Sequence, residues 1–343
     1  MTDTRKKMIE ALQGHVTERV PFWLMRQAGR YLPEYRELRA KAGSFLNLCF
    51  NPPMACEITL QPLRRFDMDA AILFSDILVI PLAMGMPLEF TAGEGPKLDA
   101  VQSRLDVDKL VYDEGKLSAV FETLGLIKKE LHPEKTLIGF AGAPFTVACY
   151  MIDGKGGGFA KTRALLNGDT EILDGLIAAL VQSTTAYLCR QIEAGADCVQ
   201  IFDSWASMLD DLNFEKNAVQ PVRDIVDGIR RKYPGFPIIG FPRGCGNRYA
   251  QFAKGTGVSG MSVGQEADIK TVAQSLQGRT AVQGNLDPEL LLKGGADMEK
   301  AIVEILEATK DVPFIFNLGH GVIKETAVEN VAALARIVKE FKR

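Results

Sequence analysis

The chain has 343 residues, a formal net charge of −3 and a pI near 5.8. This charge excludes the basic footprint of a nucleic-acid-binding protein, and 47% hydrophobic with 24% charged residues excludes disorder as the main state. Three histidines (His15, His132, His320) and six cysteines without a C-x-x-C pair speak against a metal centre.

The N-terminal run MTDTRKKMIEAL is polar and has no apolar core segment, so no signal peptide is expected. Several cysteines sit in apolar runs and are expected to be reduced, which together points to the cytoplasm. The first strand expectation is Phe22–Met25. The second, Asp69–Phe74, opens an apolar stretch, Ala70–Leu88, that is long enough to span a bilayer. Asp76 in its middle, followed by Pro81 and Gly85, favours a core strand running into a loop, with no membrane role. Helix follows over Asp106–Leu131, then strand at Thr136–Ala141 and a long helix over Thr170–Ala194. Strands at Cys198–Phe202, Pro237–Phe241, Gly257–Val263, Thr280–Gly284 and Phe314–Leu318 complete the set. Helices over Asn217–Lys232, Ala267–Leu276, Met298–Thr309 and Val322–Phe341 lie between and after them.

The strand runs are continuously apolar, which suits a parallel sheet buried on both faces. Eight strand–helix units in sequence predict a single (β/α)8 TIM barrel domain over residues 1–343, with enlarged early βα loops. An open doubly wound sheet is the alternative, but no G-x-G-x-x-G follows the first strand. The Gly154–Gly158 tract is no phosphate loop and reads as a mobile cover.

Barrel chemistry lies at the C-terminal strand ends. There the sequence places Arg26, Gln27, Ala28, Gly29 and Arg30, then Asp76, Tyr150, Ser204, Arg243 and His320. Arginines at such a position suggest carboxylate or phosphate groups on the ligand. Arg36 and Arg39 lie farther along a helical stretch and read as structural. Asp76, flanked by ILFS and ILVIP, should be a partly buried carboxylate that needs a cationic or hydrogen-bonding partner.

The runs FWLMRQAGRYLPEYR (Phe22–Arg36), LQPLRRF (Leu60–Phe66), FSDIL (Phe74–Leu78), GFAGAPFTVACY (Gly139–Tyr150), QGNLDP (Gln283–Pro288) and NLGHG (Asn317–Gly321) resemble the uroporphyrinogen decarboxylase family, in the right order and over nearly the whole chain. The resemblance implies a barrel, usually a homodimer, acting without cofactor or metal. It implies decarboxylation of the four acetate side chains of uroporphyrinogen III to give coproporphyrinogen III. It assigns a substrate-binding loop to Arg26, Gln27, Ala28, Gly29 and Arg30, pyrrole binding to Asp76, and further site positions to Tyr150, Phe202, Ser204 and His320. Asp76 and Arg26 are the expected catalytic pair. GFPRGCG, after the fifth strand, does not carry the family pattern well, so no role follows for Arg243 or Cys245. A methyltransferase on the same barrel, or a non-catalytic tetrapyrrole binder, are the alternative functions.

Overall fold

The computed structural model describes residues 6–91 and 95–343. Part of the N-terminal run, residues 1–5, lies outside them. Seven strands form one parallel sheet in the order β1, β4, β5, β6, β7, β8, β9: β1 Ala70–Ile72, β4 Thr136–Gly142, β5 Cys198–Asp203, β6 Ile238–Pro242, β7 Gly260–Ser262, β8 Ala281–Leu286 and β9 Phe314–Leu318. An antiparallel hairpin, β2 Leu88–Thr91 and β3 Gly95–Leu98, stands apart. It was not expected from the sequence: it begins where the apolar stretch Ala70–Leu88 ends and lies in residues to which no element had been assigned.

The strand expected at Phe22–Met25 is only a single parallel bridge, Phe22 to Phe316. The segment nevertheless bonds to both edges of the sheet. Trp23 N–H donates to the Phe316 carbonyl at 3.3 Å, Phe316 N–H to the Pro21 carbonyl at 2.9 Å, and Asp69 N–H to the Phe22 carbonyl at 2.9 Å. Beyond this point side chains replace the ladder. Leu24 N–H donates to Gln27 Oε1 at 3.0 Å, Gln27 Nε2 to the Ala70 carbonyl at 3.0 Å, and Met25 N–H to Asn317 Oδ1 at 2.9 Å. Buried backbone groups are thus satisfied without regular strand geometry.

Alternation along the strands sorts the core into two regions. Ala70, Ile138, Cys198, Ile239, Phe241, Ala281 and Ile315 meet Trp23 and Met25 inside the curled sheet. Met8, Ala11 and Leu12 of the first helix, Lys7–Leu12, close its lower end. A much larger apolar layer lies between strands and helices. One polar layer crosses the interior: Trp23 Nε1 donates to Gln283 Oε1 at 2.9 Å, and Gln283 Nε2 donates to Gln200 Oε1 and Ser262 Oγ.

The helix expected over Asp106–Leu131 is broken into Arg104–Asp108, a 3-10 turn Glu114–Leu117, and Ser118–Glu130. Val111 and Asp113 donate their N–H groups to the Met84 and Ala83 carbonyls instead. That tertiary pairing outcompetes helical continuity. The final helix starts later than expected, at Val328, and ends at Glu340. Glu171–Glu193 is long and apolar enough to cross a membrane, but half of its most apolar window is buried against the rest of the protein. Ala70–Leu88 is β1, a loop and the short helix Val79–Ala83, leading into the hairpin.

Candidate active site

The segment after Met25 turns sharply at the mouth of the curled sheet. Arg26 holds φ +61°, a left-handed conformation uncommon outside glycine. Gln27 N–H closes the turn on the Leu24 carbonyl at 2.9 Å. Gly29 is required there, since a Cβ would lie 2.9 Å from the Arg26 carbonyl oxygen. Gln27 itself is fully buried, and its amide is spent on Leu24 and Ala70. Its side chain therefore builds the turn and does not face the mouth. Ala28 and Gly29 are half-buried, while Arg26 and Arg30 are exposed.

Asp76 lies four residues past the end of β1, on the loop that leads to the helix Val79–Ala83. Its Oδ1 accepts from Leu78 N–H at 2.8 Å, and among the described residues no cation forms an ion pair with it. Burial raises its pKa to about 6, against the opposing effects of that N–H and of Arg26. The carboxylate is thus held short of partners, as a site awaiting hydrogen-bond donors would be.

Tyr150, on helix Pro144–Asp153, packs edge-on against Phe159 at 5.5 Å and near Trp205 at 6.3 Å. Burial raises its pKa, and both Asp76 and Arg26 are close enough to act on it. Phe159 is the second non-glycine residue at the mouth with positive φ, +49°. The Gly154–Gly158 tract lies on this tyrosine: a Cβ on Gly156 would stand 3.3 Å from its ring. The tract is pinned to the hairpin by the Lys97–Lys155 bridge and by Leu98 N–H to the Gly154 carbonyl at 2.8 Å.

Phe202 faces inward at the end of β5, with Phe140 at 5.7 Å and Phe241 at 6.1 Å. Ser204 follows two residues later and is half-buried. Between them Asp203 points the other way, into the helix layer, and is 1% exposed. It accepts from Thr146 Oγ1 at 2.6 Å, and Thr146 Oγ1 in turn accepts from Trp205 N–H at 3.1 Å. Burial raises the Asp203 pKa to about 7, with the Thr146 bond opposing. Sequence reading passed over Asp203; its place after an apolar strand was the available signal.

His320 is half-buried between two close approaches. A Cβ on Gly319 would lie 2.1 Å from Gln265 N, and one on Gly321 would lie 2.3 Å from Arg26 Cδ. Burial lowers the His320 pKa to about 3, helped by the charges of Arg26 and Arg243, so the ring is neutral. Its Nδ1 is buried and has no partner among the described residues.

The two arginines read as structural separate here. Arg36 donates to the Arg30 and Tyr31 carbonyls at 2.8 and 3.1 Å. Arg39 is half-buried beside Tyr35 and Cys49 and has no anionic partner among the described residues. Glu34, four residues after Arg30, pairs with Arg65. Arg26, Arg30, Arg39 and Arg243 thus bring four guanidinium groups without ion-pair partners among the described residues to a chain of net charge −3. Among the described residues no three His, Cys, Asp or Glu side chains group as a metal site, and Cys245, buried, has its thiol pushed up to about 12.

A family model described as uroporphyrinogen decarboxylase matches residues 3–341. The uroporphyrinogen decarboxylase of Novosphingobium aromaticivorans is 46% identical over 98% of this chain and 99% of its own length. That of Acidiphilium cryptum is 47% identical over 98% and 95%. Among solved structures, a methyltransferase from Methanosarcina mazei superposes with a TM-score of 0.81 at 20% identity over 98% of both chains. A B12-independent methionine synthase from Shewanella reaches 0.53 at 8% identity, over 84% of this chain and 88% of its own. These structural likenesses concern the fold alone.

Proposed function

The chain belongs to the uroporphyrinogen decarboxylase family, and from that premise we propose that its mouth binds uroporphyrinogen III around Asp76 and removes CO2 from the four acetate side chains. The observation that carries this reading is the contrast at the mouth: one desolvated carboxylate and three guanidinium groups, of Arg26, Arg30 and Arg243, with no ion pair among the described residues.

The substrate has eight carboxylates at its rim and four pyrrole N–H groups at its centre. Asp76 accepts the N–H groups, which favour its charged form. Arg26, Arg30 and His320 hold rim carboxylates, and Tyr150 and Ser204 orient them. The backbone of Gln27, Ala28 and Gly29 shapes the loop, and Phe202 meets the macrocycle's apolar face. Direct loss of CO2 would strand an electron pair on the side-chain CH2. Protonation of the ring α-carbon next to the carbon that bears the acetate makes the pyrrole cationic and leaves the acetate-bearing carbon electron-poor, in conjugation with the iminium nitrogen. The C–CO2 bonding pair then flows into the ring as CO2 leaves, giving an exocyclic methylene. Protonation of that methylene makes the methyl, and loss of the added ring proton restores the pyrrole. Propionates, one CH2 longer, have no such sink. Asp76 stabilises the cationic ring, and preorganised charge of this kind is worth about 3 kcal/mol or more per group. Arg26, catalytic in this scheme, places the reacting carboxylate and does not donate the proton.

We read the eighth position of the wall as the Pro21–Met25 segment, closing the sheet into a (β/α)8 barrel in a single domain over 1–343. Its backbone bonds to both sheet edges, and Trp23 and Met25 share the interior with the strands. The six free cysteines support a reducing, cytoplasmic setting. A homodimer, which family membership suggests, would give cover to Leu212, 82% exposed on the short helix Asp211–Phe214. No observation favours a methyltransferase or a non-catalytic binder. Anaerobic incubation with uroporphyrinogen III, following CO2 and coproporphyrinogen III, tests the function; binding without CO2 release would overturn it.

A further inference from the structure

β6 sends Ile239 and Phe241 into the interior. Arg243 stands two residues beyond Phe241 and so continues the inward row past the strand end, as Ser204 does after Phe202. Its backbone is tied on both sides. Arg243 N–H donates to the Asp203 carbonyl at 3.0 Å, which sets the residue beside Ser204. The next N–H, of Gly244, donates to Glu266 Oε1 at 3.1 Å, and the same oxygen accepts from the Tyr249 hydroxyl at 2.9 Å. Gly244 permits this path: its φ is +67°, and a Cβ would lie 2.9 Å from Ser207 Cβ.

The Arg243 side chain, by contrast, has no ion pair or hydrogen bond among the described residues, although it is half-buried. A half-buried guanidinium without an anion is short of a partner. Its charge acts on both Arg26 and His320, and His320 Nδ1 is a buried nitrogen with no partner. Two guanidinium forks and a neutral imidazole near one another lack only an acceptor.

We infer that Arg243 is a substrate-binding residue that completes, with Arg26 and His320, a subsite for one side-chain carboxylate, a role that rests on the decarboxylase reading of the chain. Glu266 is its positioning residue, since it anchors the adjacent peptide and leaves the guanidinium free. A carboxylate entering this subsite replaces the missing anion of both arginines.

The test uses full-length Arg243→Met and Arg243→Lys proteins. Anaerobic kinetics with uroporphyrinogen III are measured beside equilibrium binding of coproporphyrinogen III, read by tryptophan fluorescence. Arg243→Met should raise KM about tenfold or more while kcat changes by less than about threefold, as loss of a charged hydrogen bond used in binding would do. Arg243→Lys, keeping the charge without the fork, should recover part of the loss. A raised KM with unchanged product binding supports the subsite and assigns it to an acetate position. Wild-type KM and product affinity in Arg243→Met would overturn the inference, as would a fall confined to kcat. An inactive wild-type protein that binds coproporphyrinogen III would overturn the decarboxylase reading instead, and weaker binding by Arg243→Met would then still support the subsite.

Discussion

Gly321 and Arg26 share one space: a Cβ on the glycine would lie 2.3 Å from Arg26 Cδ and 2.6 Å from Cγ. The end of the last strand thus leaves the channel through which the first segment's arginine reaches the mouth. Gly321 does not need a left-handed backbone, so Gly321→Ala should fold normally and displace Arg26. We expect kcat/KM to fall at least about tenfold, or about 1.4 kcal/mol, with Tm within a few degrees of wild type. Unchanged kinetics would mean that the Arg26 stem finds another path at no cost.

Asp76→Asn should separate stability from turnover. The folded pKa of about 6 lies above the ordinary aspartate value of 3.8. The folded state therefore holds the proton more tightly than the unfolded state. The contribution of this group to stability is full below pH 4 and is lost as pH rises through 6, at a cost of at most about 3 kcal/mol. The amide removes that cost. At pH 7 Asp76→Asn should melt higher than wild type, the gap closing by pH 4, while most turnover is lost. A lower Tm at pH 7, or near-normal kcat, would contradict the assignment.

The same group sets a pH limb. In the free protein Asp76 protonates as pH falls through about 6, so kcat/KM should decline there. Bound pyrrole N–H groups favour the carboxylate, so the limb in kcat should lie at lower pH. Coincident limbs would show that the substrate does not hydrogen-bond to Asp76.

His320, with its pKa lowered to about 3, is neutral across the working range. His320→Asn should therefore raise KM without moving the acid limb. A limb displaced in this variant would assign the titration to the imidazole, contrary to the geometry.

Thr146→Val should act at a distance. Asp203 Oδ2 is already buried without a partner, and the Thr146 hydroxyl is the bond Oδ1 receives. Its loss should destabilise the protein by about 1–3 kcal/mol. Trp205 N–H also loses its acceptor, so KM should rise through the Tyr150–Phe159–Trp205 cluster. Urea unfolding and kinetics check the two effects separately.

The strands from β4 onward were legible because each is an apolar run buried on both faces, a property local to its own residues. The Phe22–Met25 segment was legible as apolar, but its bonds depend on the amides of Gln27 and Asn317, one of them far away in the chain. Arg36 and Arg39 look alike in sequence. One turned out to bind two carbonyls and the other none, because Arg36 lies a turn nearer the start of the helix Pro33–Ala42 and reaches back to the carbonyls of the loop before it. Arg243 was legible as a strand-end residue but without a role: its family pattern is weak, and its inward direction follows only from the register of β6.

The order of apolar runs and the residue types at their ends were enough to determine a parallel α/β architecture, an arginine-rich mouth and the family. Those are properties of short segments, where period and side-chain chemistry act over a few residues. Tertiary structure alone decided that Gln27 is spent on backbone, that Asp76 has no ion pair among the described residues, that Gly321 makes room for Arg26, and that the Arg243 side chain is left without a partner among them. Each of these depends on contacts between distant segments, and burial, unlike residue identity, is a property of what surrounds a side chain.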